Sequence, residues 1–443
     1  MVKNKNWQRK KLGEICEERK EKNVNNENLP VFTVSHIYGL IPYQNIFYKQ
    51  VHSKDTKNYK IVNRYDFAFG LPTKDTLPYG ILEDEDKVLV SPAYIVFAIK
   101  DTNLLFPRFL YYLLKTDYYK WEIIEMAKSQ SATRHGLPLK FHHLENLEIP
   151  LPPLPVQQKI VKILDTIQSA VEVQEKIIEK TKELKKALMN LLFHYGLAGL
   201  RIKELAGLRV DELTSSEIKK LGLKLKKTEI GEIPEDWEVV KLGDKRLFEI
   251  KLGGTPKTSI SDYWNGKIPW ITPNDLSELT TPYIEDTQRK ISTSGLKAGS
   301  TLLPENSIIL STRAPIGYVA LLRRPMAFNQ GCKGIVIKDK SVVSLFVYYF
   351  LLSKAKLLQE LGTGSTFREL ATGDLENFRL PLPPLPEQQE IAEILQTIDQ
   401  KIEIEKKKKE LYHELFKTLL NKIMNQEIDV NLLDYQGVDG LTG

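Results

Sequence analysis

The chain has 443 residues, enough for two or three domains with cores of their own, and its 42% hydrophobic content is that of an ordinary folded protein. A net charge of +6 and a pI near 8.8 suit a polyanionic partner or a charged, solvating surface, and fall short of a dedicated nucleic-acid domain. With Cys16 and Cys332 the only cysteines, a disulfide framework and a cysteine metal cluster are excluded, and a reducing cytoplasm is the expected home.

In chain order, the opening "MVKNKNWQRKK" carries charge without an apolar core behind it, which argues against a secretory signal. No later run approaches the roughly 18 apolar residues of a membrane helix. Residues 1–155 read as a first globular head of α/β (α+β) type, with short β-branched strands and a helix around "YYLL". Its loop "YKQVHSKDTKNYKIVNRYD" gathers Lys54, Lys57, Lys60 and Arg64 beside Tyr48 and Tyr59, and "LPTKDTLPYG" adds Lys74. The acidic "EDEDK" at Glu83 reads as a solvated turn. "RHGLPLKFHH" holds His135, His142 and His143, but adjacent histidines usually point apart and no third close ligand is evident, so a zinc site is disfavoured.

The head ends in "PLPPLPVQQ" at Pro150. Consecutive prolines fix φ and forbid helix, so this elbow is expected to run extended, with Pro155 at the first position of a helix over 156–193. In that helix Ile160, Leu164, Ile167, Val171, Gln174, Ile178, Thr181, Lys185, Leu188 and Leu192 alternate steps of four and three, the signature of a coiled-coil seam. Residues 194–226 read as a connector, with a short helix at "TSSEIKKL". A second α/β head follows over 227–386, with strands at "SIILST" and "KGIVIK" and one helix at "SLFVYYFLLSKAKLLQEL". Its loops "GGTPKTS", "DTQRKIS", "STRAPIG" and "FNQGCKG" present Lys257, Thr258, Arg289, Lys290, Arg313, Gln330 and Lys333. A second helix over 387–425 carries the seam Ile391, Leu395, Ile398, Ile402, Glu405, Lys409, Tyr412, Phe416, Leu419 and Ile423, before a loose polar tail at 426–443.

The second half repeats the first. "HLENLEIPLPPLPVQQ" at His143 answers "DLENFRLPLPPLPEQQ" at Asp374, "NWQRKKLGE" at Asn6 answers "DWEVVKLGD" at Asp236, and the two seams share one register. Two seams in one chain most simply pair with each other. Antiparallel pairing of helices about 57 Å long would make a ruler with a different head at each end, its halves related by a pseudo-two-fold axis. Arg and Lys suit phosphates and guanine edges, and Gln suits adenine. Any one of these residues is more readily a solvated surface group, but the set, on a two-headed ruler, points to DNA. Catalytic patterns are weak. There is no G-x-x-x-x-G-K-[ST] phosphate loop, "LGTGST" at Leu361 has no following Lys, and the acids of "PEDWEVVK" at Pro234 lie too close together for a nuclease site.

The paired motifs "IPLPPLPVQQKIVKIL" and "LPLPPLPEQQEIAEIL", with "TEIGEIPEDWEVVKLGD" opening the second head, resemble the specificity subunit of type I restriction-modification enzymes over nearly the whole chain. "GGTPKTSISDYW", "IPWIT", "STRAPIGYVA" and "FNQGCKG" are similar to one class of that family's target-recognition domain. The resemblance implies a non-catalytic subunit whose heads each bind one half of a bipartite double-stranded DNA site while the helices set the gap. It implies docking of two methyltransferase subunits that use S-adenosylmethionine to methylate adenine N6. Restriction subunits with ATP-driven translocation would join them. S-adenosylmethionine, ATP and Mg would belong to those partners, leaving this chain without cofactor, metal or membrane. A standalone two-headed regulator and a coiled-coil scaffold are the alternatives.

Overall fold

The computed structural model describes residues 7–45, 53, 55–128, 137, 139–206, 222–313, 315–363 and 368–430. Lys54, His135 and the helix expected at "TSSEIKKL" lie outside the described residues, as does most of the tail. The chain divides into two compact units, Met1–Val173 with Lys409–Gly443, and Gln174–Lys408.

In the first unit, an antiparallel four-stranded sheet runs in the order Cys16–Arg19, Ile95–Ile99, Phe67–Phe69, Tyr79–Ile81. Hairpin strands Phe32–Ser35 and Gly39–Pro42 pair with each other, and Lys60–Asn63 pairs with Lys87–Val90. The helix Pro107–Leu114 covers one face through Phe109, Leu110, Tyr112 and Leu113, all buried. The second unit is also mixed. A five-stranded sheet has the order Phe248–Leu252, Cys332–Ile337, Ile308–Ser311, Val319–Leu322, Tyr283–Ile284. A four-stranded sheet has the order Lys290–Ile291, Ile268–Ile271, Met326–Phe328, Thr301–Leu303. The α/β (α+β) class expected for both heads is what the structure shows.

Two long helices, Leu154–Ala206 and Leu385–Met424, are the stems. All ten seam positions expected on each are buried or half-buried, so the heptad reads the buried face directly. In the first unit Ile160, Leu164 and Ile167, near the start of one stem, share a core with Phe416, Leu419 and Ile423, near the end of the other. In the second unit Leu188 and Leu192 share a core with Ile391 and Leu395. Start meets end in each unit, so the stems run antiparallel. Both cores continue without a break into the adjoining head, through Phe109 and Leu113 in one unit and Phe346 and Phe350 in the other.

Two mid-seam polar residues of the second unit, Thr181 and Lys185, find partners, while Gln174 Oε1 and Glu405 Oε2 are buried with none among the described residues. Thr181 turns its hydroxyl back to the Ile177 carbonyl at 2.7 Å. The Lys185 ammonium meets the Asp399 carboxylate at 2.6 Å, and the Tyr349 hydroxyl donates to the other oxygen of Asp399 at 2.8 Å. Burial and the Asp399 charge push the Tyr349 hydroxyl well above its ordinary pKa, which keeps it a neutral donor. The first unit holds a comparable tyrosine–aspartate contact between head and stem. There Tyr112 donates to Asp165 at 2.5 Å, and Arg108 lies 3.0 Å from the same oxygen.

Each stem begins with the same device. Gln157 donates its amide to the carbonyls of Leu104 (2.9 Å) and Pro152 (2.8 Å) and accepts from the Phe106 N–H (2.8 Å). Gln388, at the corresponding place, donates to Ser341 (2.9 Å) and Pro383 (2.8 Å) and accepts from the Val343 N–H (2.9 Å). Both side chains are buried, so these bonds satisfy polar groups that have no water to turn to.

Four sequence expectations change. The elbow is partly strand: Gln8–Lys11 pairs with Glu148–Leu151, and Glu238–Lys241 with Arg379–Leu382. In a two-stranded ribbon half of each strand's backbone groups face outward, so Pro150 and Pro381 can pair despite lacking an N–H. The stems then start at Leu154 and Leu385, a residue or two early. The first stem outruns 156–193 and breaks only at Gly196, where φ is 61° and ψ is −157°. A Cβ there would collide with the Glu387 carboxylate, which accepts from the Leu197 N–H and the Trp237 indole, both at 2.9 Å. A hairpin, Leu225–Thr228 with Gly231–Pro234, crosses the boundary expected at 226 between connector and second head. Finally, the single helix expected after "KGIVIK" is two, Ser344–Ser353 and Ala355–Leu361, broken at Lys354.

Gln388→Ala strands one N–H and two carbonyls in the interior and should cost about 2–4 kcal/mol, read as an earlier chemical unfolding transition. A shift worth less than about 1 kcal/mol would show that the device is dispensable. Asp399→Leu alone leaves the Lys185 ammonium stranded and should cost about 3 kcal/mol, whereas Lys185→Met with Asp399→Leu should recover most of it.

Candidate nucleic-acid interface

The loops singled out in the second head are spread from Gly253 to Gly334 in sequence and converge through hydrogen bonds. Gly254 donates to the Phe328 carbonyl (3.0 Å), and Thr255 bonds the Gln330 side chain. Thr312 and Arg313 both donate to the Gly331 carbonyl, at 2.8 and 3.2 Å. Leu370 donates back to Thr312 at 2.9 Å. Glycines are required at the closest approach, since a Cβ on Gly253 would run into the Asn329 carbonyl and one on Gly254 into the Gly299 carbonyl. Two indoles brace the assembly. Trp270 donates to the Gly254 carbonyl (3.0 Å) and Trp264 to the Lys257 carbonyl (3.2 Å), and their rings stack edge to face with centroids 4.9 Å apart.

The predicted contact residues divide by what their polar groups already do. Lys257, Thr258 and Gln330 stand exposed on the converging loops. Arg289 is exposed, with its guanidinium 3.9 Å from the Trp264 ring centroid and 5.0 Å from that of Trp270. Lys290 is spent on Asp286 at 2.7 Å, and Arg313 on Glu369 at 3.0 Å. Lys333 is 3% exposed and donates to the Leu370 carbonyl at 2.6 Å. Its burial draws the ammonium pKa down, partly offset by Glu369. It is a buried tie between loops rather than a surface cation.

In the first head Lys57 and Lys74 are exposed. Lys60 donates to the Tyr94 carbonyl at 2.6 Å, and burial lowers its pKa against the pull of Glu18. Arg64 pairs with Asp86 at 3.3 Å. The sequence reading missed the hairpin tip between Phe32–Ser35 and Gly39–Pro42, where Ile37 is 66% and Tyr38 69% exposed. It borders a cleft of about 150 Å³ lined by His36, Tyr111, Lys115 and Lys120 among others. The only available signal was "SHIYG", too short to separate from an ordinary turn. The Trp264 and Trp270 platform was missed because nothing local in "DYWNGKIPWIT" shows that both rings face Arg289.

Among the described residues, no group of three or more His, Cys, Asp or Glu side chains is arranged to hold a metal ion. The arrangement offers positive charge, planar donors and rigid loops, which suit binding rather than bond-breaking.

The family described as "Type I restriction modification DNA specificity domain" matches residues 4–183 and again 234–411. The type I restriction enzyme MjaIX specificity subunit of Methanocaldococcus jannaschii is 42% identical over 201 residues, 44% of this chain and 46% of that protein. The MjaVIII specificity subunit of the same organism is 32% identical over 304 residues, 66% of this chain and 64% of that protein. The chain thus spans between about half and two-thirds of the length of these relatives. The crystal structure of a type I restriction-modification S subunit from M. genitalium shares the fold, with a TM-score of 0.53 over 95% of this chain and 97% of that one at 16% identity. Two matched copies, each running from head into stem, account for the duplication seen in both sequence and structure: the chain belongs to the type I restriction-modification DNA specificity family.

Proposed function

We propose that this protein is the DNA-reading subunit of a type I restriction-modification complex. Each head binds one half of a bipartite double-stranded site, and the stems fix the unspecified gap between the halves. The observation that supports this best is a repeated scaffold bearing divergent loops: the same strand, elbow and buried glutamine occur in both units, while the exposed loops share almost nothing. A duplicated frame with different reading surfaces recognises two different sequences at a set distance.

The stems also carry apolar side chains that face solvent at matched positions. Val173 and Ile404 are exposed at one pair of equivalent places, and Leu184 and Leu415 at another. Two equivalent apolar faces suit two copies of one partner, the two methyltransferase subunits, whose S-adenosylmethionine supplies the methyl group for adenine N6. Restriction and translocation subunits, with ATP and Mg, would add cleavage. This chain supplies recognition and no catalytic group. Among the described residues no helix is long and apolar enough to cross a membrane.

The deciding experiment compares the methylomes of cells with and without the gene, together with binding of the purified chain to DNA with and without its methyltransferase subunits. A two-part methylated motif that vanishes with the gene supports the proposal. Sequence-specific binding by the chain alone, with no dependent methylation, would establish a standalone regulator instead. Leu184→Glu should reduce bound methyltransferase from two copies to one by native mass spectrometry, and Leu184→Glu with Leu415→Glu should abolish it. Lys257→Ala should weaken binding about two- to tenfold at the half-site of the second head, with a shallower salt dependence, and leave the other half-site unchanged.

A further inference from the structure

We infer that Arg289 is the residue through which the second head reads a guanine in its half-site. The inference deepens the proposed function and rests on it.

The other arginine and several lysines named on that surface are already committed. Arg313 is held by Glu369, Lys290 by Asp286 and Lys333 by the Leu370 carbonyl. The Arg289 guanidinium has no carboxylate or hydrogen-bond acceptor among the described residues, yet it is not loose. Its central carbon lies over the Trp264 ring, 3.9 Å from the centroid, and 5.0 Å from the centroid of the Trp270 ring. Its own carbonyl is fixed by the Trp270 N–H at 3.0 Å and the Thr287 hydroxyl at 2.6 Å. The indoles beneath are in turn locked to Gly254 and Lys257. The result is a planar fork of donors, oriented before any ligand arrives, exposed, and beside the loop that carries Lys257.

Orientation decides between ligands. A phosphate oxygen accepts from many directions and is served well by a flexible lysine such as Lys257. Guanine presents O6 and N7 side by side in the major groove, and a fork held over an indole meets both at once with little further loss of side-chain freedom. Lysine at the same place would keep the charge and lose both the stacking and the two-point geometry.

The test uses the complete chain assembled with its methyltransferase subunits on duplexes carrying each base at every position of the two half-sites. Arg289→Lys should lower the preference for guanine at one position of one half-site by about 5- to 150-fold. Preference at the other half-site and the slope of affinity against salt should stay as in the parent. Trp264→Leu, which removes the platform and keeps the arginine, should lower the same preference in the same direction. Uniform weakening at all sequences, with the salt slope reduced by about one, would make Arg289 a phosphate contact and overturn the assignment. Unchanged preference in Arg289→Lys would overturn it as well. If the parent complex itself shows no sequence preference, the proposed function fails and takes this assignment with it, an outcome distinct from the other two.

Discussion

A buried glutamine in the first turn of each stem holds the architecture together. Gln157 and Gln388 each bind the backbone at two places, the elbow just before the stem and the loop that leads into the main helix of the head. Three bonds to one planar amide fix both position and angle, and in a buried setting none can be exchanged for water. The direction in which each stem leaves its head follows from this. The apolar seam can then continue straight out of the head's own core, and the antiparallel pairing seen inside each unit needs no separate interface.

Beyond that shared joint, the contacts of the two halves have diverged. Glu387 ties Trp237 to the break after Gly196, while Val156 stands at the corresponding place in the first half and can accept no such bond. Charge is fastened differently too, through Arg108 and Asp165 in one unit and Lys185 and Asp399 in the other. Polar groups of this kind add little net stability compared with apolar packing, but they penalise every wrong pairing, which favours one register over its neighbours.

The stems were legible because a seven-residue repeat is a local signal that packing then obeys. Every seam position from Ile160 to Ile423 faces inward, including the polar Gln174 and Thr181. The stem ends were less legible, since the break depends on Gly196 meeting a carboxylate nearly two hundred residues later. The candidate interface was half legible. Turn-forming glycines and prolines marked the right loops, and the exposed Lys257 and Arg289 are where such loops should present them. Sequence could not tell a free cation from a spent one: Lys333 looked like a surface lysine until its carbonyl partner came from Leu370, and Arg313 until Glu369 did. The apolar tip at Ile37 and Tyr38 carried no pattern at all, because one hairpin turn is too short to show a period.

The two glutamines touch only main-chain atoms of the head: carbonyls of Leu104 and Ser341, amides of Phe106 and Val343. Such a socket checks the course of a loop and is blind to which side chains the loop bears. A lineage could therefore replace an entire head with one of unrelated surface, and so acquire a new vocabulary, without recutting the fitting that carries it. Diversity at the tips and constancy at the hinge point are then two effects of one chemical choice, an amide that shakes hands with backbone alone.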